Sequence, residues 1–300
     1  PVGREAAQAY GRPWTRMAPT HEALAMFTDK YRDSRFDGTF TTVYHANWLR
    51  NGKKHEYAIC ANGMQVGPED PILKFLWEET EGVVYPDGPG ANNVGAGEVP
   101  GESAYVINPS GVSRVAYPSI WKIGCYRTDN NGGMGSPNAG STRPFPIAKY
   151  SEFYFIAAEA AVKGASTQGG KTAYDLINVI RARAGKWSYI NAENRAYTAD
   201  FSAELMAETP KTITIDYILD ERLREYYGEG QRWFELVRTQ TWAKRAASFT
   251  ICGTAWGDHT AINGKRDIQN YLYLRPIPTG QLDGMEMSED EKAKYQNPGY

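Results

Sequence analysis

The amino-acid sequence predicts a mainly α protein, with helical hairpins preceded by a loop-rich region of short strands. Two observations carry this. In Tyr150–Lys163 apolar residues recur at the i, i+3, i+4, i+7 spacing of a helix face, and the segments after Thr172 and Thr214 carry further helical stripes. Before Pro146, Gly/Pro-rich clusters such as Pro86-Asp87-Gly88-Pro89-Gly90 and Asn130-Asn131-Gly132-Gly133 separate short runs of strand character. The chain reads as one domain over 1–300, loop-rich with short strands in 1–146 and helical in 147–300.

In the first part, Thr20 precedes a short helix, and a second helix is expected from Asp70-Pro71, an N-cap followed by proline at the first helical position. Thr39–His45, His55–Cys60 and Ser103–Asn108 read as strands, with Trp121 as a strand core residue. Gly88–Gly97 reads as a surface loop.

In the second part, Tyr150–Lys163 is a helix expected to bury Phe153, Ile156, Ala157 and Ala160. Thr172 and Asp175 form a capping box for a helix with the stripe Ala173, Leu176, Ile177, Ile180 and Ala184, stopped by Gly185. These two helices make a hairpin. Asn191–Lys211 is polar and expected to be irregular. Thr214 then caps a helix carrying Ile215, Leu219, Leu223 and Tyr226 and ending at Gly228, followed by a helix with Trp233, Phe234, Leu236 and Val237. Two hairpins suggest stacked helix pairs as in α-solenoids, but no period near ~34 residues recurs.

The 300 residues carry a net charge of −2, which gives no electrostatic reason to expect nucleic acid or an anionic membrane as partner. No apolar run reaches the ~18–20 residues of a membrane-spanning helix. Cys60, Cys125 and Cys252 form no C-x-x-C pair and read as buried small hydrophobes. His21, His45, His55 and His259 show no metal-ligand spacing, and no P-loop, nucleophile elbow or dinucleotide fingerprint occurs, so no metal or cofactor is expected.

The densest charged cluster runs Glu221-Arg222-x-Arg224-Glu225, then Glu229-Gly230-x-Arg232, then Glu235 and Arg238. A catalytic reading would make Glu221 or Glu225 an acid or base. The alternating signs favour ion pairs between residues three or four apart and at helix ends. The remaining distinctive feature is 20 Tyr, 10 Phe and 8 Trp in a chain rich in loop-formers, a composition suited to displaying aromatic surface.

These blocks together carry a resemblance. Lys149-Tyr150-Ser151-Glu152-Phe153 running into Ala157-Ala158-Glu159-Ala160, and Leu176-Ile177-Asn178-x-x-Arg181-x-Arg183-Ala184-Gly185, are similar to two helices of the SusD/RagB family of outer-membrane nutrient-binding lipoproteins. Asp33-Ser34-Arg35-Phe36 with Thr39-Phe40, the charged cluster from Glu221 to Arg238, and Pro276-Ile277-Pro278 with Gln296-Asn297-Pro298-Gly299-Tyr300 resemble further family blocks, in the family's order. Lys149 stands where the family commonly has Arg, and Arg275 where an apolar or aromatic residue is expected.

The resemblance implies a SusD-like fold with tetratricopeptide-like helical hairpins and a ligand-facing loop-rich region. It implies that this chain covers the C-terminal part of that fold, with a lipidated cysteine and further helices upstream. The implied role is non-catalytic: capture of an oligosaccharide, or in some members a peptide, at the cell surface for a SusC-type TonB-dependent transporter in the outer membrane. A helical protein-interaction module and a glycoside hydrolase are the readings from other classes.

Sugar rings stack their C–H faces on aromatic side chains while polar groups bond the hydroxyls. Candidate ligand-binding residues in the loop-rich part are therefore Trp48, Trp77, Tyr85 and Tyr105 as platforms, with Asn92 and Asn93 as polar partners. For each ring, burial in the core is the competing expectation.

Overall fold

The computed structural model describes residues 17–46, 58–59, 65–84, 97–99, 103–123, 144–253 and 258–300. They fall into two compact units, one of residues 1–230 and 250–262 and one of residues 231–249 and 263–300.

The first unit opens with two short capped helices. In α1 (His21–Ala25) the Thr20 side chain accepts from the Ala23 N–H, and in α2 (Ser34–Thr39) the Asp33 side chain accepts from the Arg35 N–H. Short strands follow: β1 (Phe40–Thr41), β2 (Val43–His45), β3 (Ala58–Ile59), β4 (Gln65–Val66), β5 (Pro71–Phe75), β6 (Gly97–Val99), β7 (Ser103–Ile107) and β8 (Ser119–Ile120). Four of them form a sheet in the order β2-β5-β7-β6, with β5 antiparallel to β2 and parallel to β7. β1 pairs with β8, and β3 with β4.

The helix expected from Asp70-Pro71 is thus a central strand. Asp70 does not cap a helix: its carboxylate accepts from the Gly67 N–H and closes the turn that leads into β5. Pro71 is tolerated because it is the first strand residue, and Ile72 and Phe75 drive into the core, at 0% and 3% exposure. That core centres on Phe27, Phe36 and Phe40, whose rings meet edge-on or tilted with centroids 5.4–5.7 Å apart. Trp121 lies just past β8, half-buried, its N–H bonded to the Thr39 carbonyl.

The helical part of this unit comprises α3 (Tyr150–Val162), α4 (Ala173–Ala184), α5 (Ser202–Ala207) and α6 (Ile215–Tyr226). The Thr172–Asp175 capping box and the Thr214 cap are both present. α3 packs on α4 and α6, and α4 on α5. Phe155, Ala158, Ile177, Ile180, Ile218 and Tyr226 form a second core.

Two expectations are corrected here. Phe153 and Ile156 of α3 face solvent, at 64% and 55% exposure, while Phe155 and Ala158 are buried. Both stripes are apolar, so hydrophobicity alone leaves the choice open. Polar partners on α6 decide it: the Ser151 hydroxyl meets the Tyr226 hydroxyl at 2.7 Å and Arg222 bonds the Glu152 carboxylate. The Asn191–Lys211 stretch is also not irregular. It holds strand β10 (Arg195–Asp200), which pairs antiparallel with β9 (Lys186–Ile190), and then α5. Trp187, 4% exposed, pins this hairpin by donating from its indole to the Arg32 carbonyl at 2.9 Å.

The second unit contains α7 (Arg232–Arg238), α8 (Trp242–Ala246), α9 (Thr279–Asp283) and α10 (Glu289–Tyr295). The pair β11 (Ser248–Cys252) and β12 (Ala261–Lys265) has residues in both units. Rings organise this unit: Trp233 contacts Phe234 and Trp242, and Trp242 contacts Tyr273. Arg275, unexpected in the sequence, lays its guanidinium over Trp233 at 4.5 Å and so fills an aromatic residue's place with a flat cation.

Candidate functional site

Of the residues expected to bind ligand, Trp48, Tyr85, Asn92 and Asn93 lie outside the described residues. Trp77 and Tyr105 are described, and the structure separates them. Tyr105 sits in β7 at 1% exposure as part of the first core, so it presents no face to a ligand. Its strand is buried on both faces, since Val106 and Ile107 are 0% exposed, so alternation offers none of Tyr105, Val106 and Ile107 to a ligand.

Trp77 lies two residues past the end of β5 and is half-buried. Its indole N–H donates to the Thr42 hydroxyl at 3.0 Å, which fixes the ring's orientation. On one side it meets Phe36 edge-on at 5.6 Å. Tyr31 lies against it at 5.2 Å with the planes inclined by 47°, and is 58% exposed. A core-anchored indole thus carries a solvent-facing phenol beside it. Sequence reasoning missed Tyr31; its signal was a ring set among charged residues in Asp29-Lys30-Tyr31-Arg32-Asp33.

The surroundings of this pair are polar and fixed. Lys30 bridges to Glu78 at 3.4 Å. The Asn108 side chain exchanges two hydrogen bonds with the Thr80 backbone, at 2.9 and 3.0 Å. Glu79 accepts from the Ser110 N–H at 2.6 Å and from its hydroxyl at 2.8 Å. The segment after β5 is therefore tied to the turn that follows β7, so the platform rests on a braced loop.

The charged cluster is a buried ion-pair network. Glu221, fully buried, receives Arg35 and Arg224 at 2.6 Å and Arg181 at 3.2 Å. Arg35 also forks onto Asp33, and Glu225 takes Arg183 as well as Arg35. Burial pushes the Glu221 carboxyl up, but Arg35, Arg224 and Arg181 outweigh it and hold the group well below the usual carboxylate range. A carboxylate locked in this way reaches no substrate, so neither the acid nor the base role fits Glu221. Cys252 is equally unsuited to nucleophilic work: burial, with Asp258 and Glu79 nearby, pushes its thiol up to about 11.

The described histidines bond backbone carbonyls: His21 that of Val112, His45 those of Glu69 and Ala192, and His259 that of Gly111. Among the described residues no group of three or more His, Cys, Asp or Glu is placed to hold a metal ion. Among them, too, no helix is long and apolar enough to cross a membrane.

A family model for the SusD family matches residues 4–300. The chain belongs to the SusD family. Among solved structures, it is similar to a SusD-like protein from Bacteroides fragilis NCTC 9343, at 16% identity and a TM-score of 0.46, over 99% of this chain and 50% of that one. The chain thus spans half the length of that relative. No curated protein matches it.

Ion pairs join four of the five SusD-like sequence blocks. The first block supplies Asp33 and Arg35, the α3 block Glu152, the α4 block Arg181 and Arg183, and the α6 block Glu221, Arg222 and Glu225. The blocks that carry the family resemblance therefore build the scaffold, and the aromatic platform rests on the first of them through the contact of Phe36 with Trp77.

Proposed function

We propose that this chain is the ligand-handling part of a non-catalytic, cell-surface nutrient-binding protein that captures oligosaccharides by aromatic stacking. It delivers them to a SusC-type TonB-dependent transporter and is held at the outer membrane by an N-terminal lipid anchor. Helices α3 to α6 serve as a tetratricopeptide-like scaffold. The observation that supports this reading best is the exposed Tyr31 ring seated on the anchored Trp77 indole. Such a surface offers an apolar face to the C–H side of a sugar ring and polar groups at its edge. Trp48, Tyr85, Asn92 and Asn93 are proposed to complete the site.

The test is a glycan and peptide binding screen on the full-length protein, repeated with Tyr31→Ala and with Tyr31→Ala/Trp77→Ala. Loss of one stacking contact, worth roughly 0.5–1.5 kcal/mol, weakens glycan affinity about two- to tenfold in the single variant. The double variant loses most of the affinity. Glycan binding unchanged in both variants would remove the platform from the site. Binding of peptides alone would make the protein a peptide-capturing member of the family, and new reducing ends on incubation with glycans would make it a hydrolase.

A further inference from the structure

His45 closes strand β2 and faces two backbone carbonyls at once. Its Nδ1 lies 2.8 Å from the Glu69 oxygen and its Nε2 lies 3.2 Å from the Ala192 oxygen. A neutral imidazole carries one N–H and can donate to only one of these acceptors; an imidazolium carries two and donates to both. The acceptors belong to separate elements. Glu69 is in the β4–β5 turn, and Ala192 is in the turn of the β9–β10 hairpin.

Each acceptor is held in place independently of the histidine. The Glu69 N–H donates to the Ala46 carbonyl at 3.0 Å, and Ala46 donates to the Asp70 carbonyl at 2.9 Å. Glu69 itself has a φ of 66°, a left-handed conformation that a non-glycine residue adopts only where its surroundings require it. On the hairpin side, the Asp37 carboxylate accepts from the Asn191 N–H at 2.7 Å and from the Ala192 N–H at 2.9 Å. Pro71, the register partner of His45, has no N–H, so the side chain adds a link where the ladder has one donor fewer.

We propose that His45 is a proton-operated latch: as imidazolium it ties the β9–β10 turn to the β4–β5 turn, and on losing its proton to solvent it keeps only one of the two bonds. Among the described residues, the charged groups around the latch are Glu69 and Asp70 on one side, and Asp37, Glu193 and Arg195 on the other. Glu193 is paired with Arg195 at 2.5 Å. Burial raises the Asp37 carboxyl despite its bonds from Asn191 and Ala192, and Glu193 adds to the rise. Asp37 is therefore the competing source of pH dependence at this turn.

Hydrogen exchange of the amides of residues 191–194, corrected for intrinsic rates and followed as a function of pH, tests the latch. Protection in the wild-type protein is expected to fall about fivefold as the pH rises, reflecting the lost charge-assisted bond. In His45→Gln it should be independent of pH and remain at the high-pH level. PH-independent protection in the wild type overturns the proposal. So does an equal fall in His45→Gln, which would place the effect outside His45; ionisation of Asp37 acts in the opposite sense, because its carboxylate accepts more strongly from the Asn191 and Ala192 N–H groups as the pH rises. Imidazole nitrogen shifts of wild-type His45 give a reading that does not depend on the variant's folding. Two protonated nitrogens at low pH, without added protection of the turn, would also overturn the latch.

Discussion

The Glu221→Gln substitution is expected to lower the unfolding free energy by about 3–5 kcal/mol, the usual cost of removing one partner from a buried ion pair. Glutamine matches the shape of glutamate, so packing is nearly unchanged and the loss is electrostatic. The buried side of the network sets Arg35, Arg181 and Arg224 against Asp33, Glu221 and Glu225. Without the Glu221 charge, Arg35, Arg181 and Arg224 are left with the buried Asp33 and Glu225 and with Glu208, a partly exposed carboxylate 3.5 Å from Arg181. Arg181 and Arg224 also donate to the carbonyls of Leu205 and Met26, at 2.9 and 2.6 Å. They cannot turn toward solvent without breaking these bonds.

The same charge fixes a pH dependence. The folded-state pKa of Glu221 lies below its unfolded value, which is about 4.3. The folded state therefore binds its proton more weakly than the unfolded state. The stabilisation is complete at pH values above the unfolded pKa and is lost as the pH falls toward the folded one. Urea denaturation from about pH 7 down to pH 3 should show wild-type stability falling more steeply than that of Glu221→Gln. A variant within about 1 kcal/mol of wild type at neutral pH would mean that the network adds no net stability.

This network also marks what could be read from the sequence. Alternating Glu and Arg on one helix predicted ion pairs, and ion pairs are there. The predicted partners lay three or four residues along the same helix, yet only Arg224 pairs with Glu221 in that way; Arg35, 186 residues away, and Arg181, 40 away, come from other elements. Spacing reports which charges share a face, and it cannot report what packs on that face. The helix caps at Thr172 and Thr214 were legible because capping is local chemistry. Strand β5 was not, because Asp-Pro starts helices by local preference, and the sheet's demand for Ile72 and Phe75 overrides it. In the candidate site Trp77 was legible as a ring beside a loop. Tyr31 became visible only when folding set it against the indole.

Gly185 shows the same limit in one residue, and its replacement carries the second large expected effect. The sequence marks it as a helix stop, for which the usual reason is a left-handed conformation. Its φ is −72°, open to any residue, so conformation is not why glycine stands there. The reason is proximity: a Cβ would lie 2.6 Å from the Phe201 carbonyl carbon and the Ser202 nitrogen, and 2.8 Å from the Phe201 oxygen. That contact is how α4 ends. Phe201 donates its N–H to the Gly185 carbonyl at 2.9 Å, and the Ser202 hydroxyl donates to the Ala182 carbonyl at 2.7 Å. The start of α5 thereby satisfies carbonyls that the end of α4 leaves unpaired. Gly185→Ala must push backbone rather than a flexible side chain, straining both bonds, and is expected to cost roughly 2–3 kcal/mol. Gly38→Ala is the control. Gly38 lies within α2 with nothing within 4 Å of its added carbon and no left-handed φ, so alanine there should stabilise by about 0.5–1 kcal/mol. Denaturation midpoints that move in opposite directions in the two variants would confirm that close approach selects glycine at position 185. Equal midpoints would show that the α4–α5 junction yields more easily than its geometry implies.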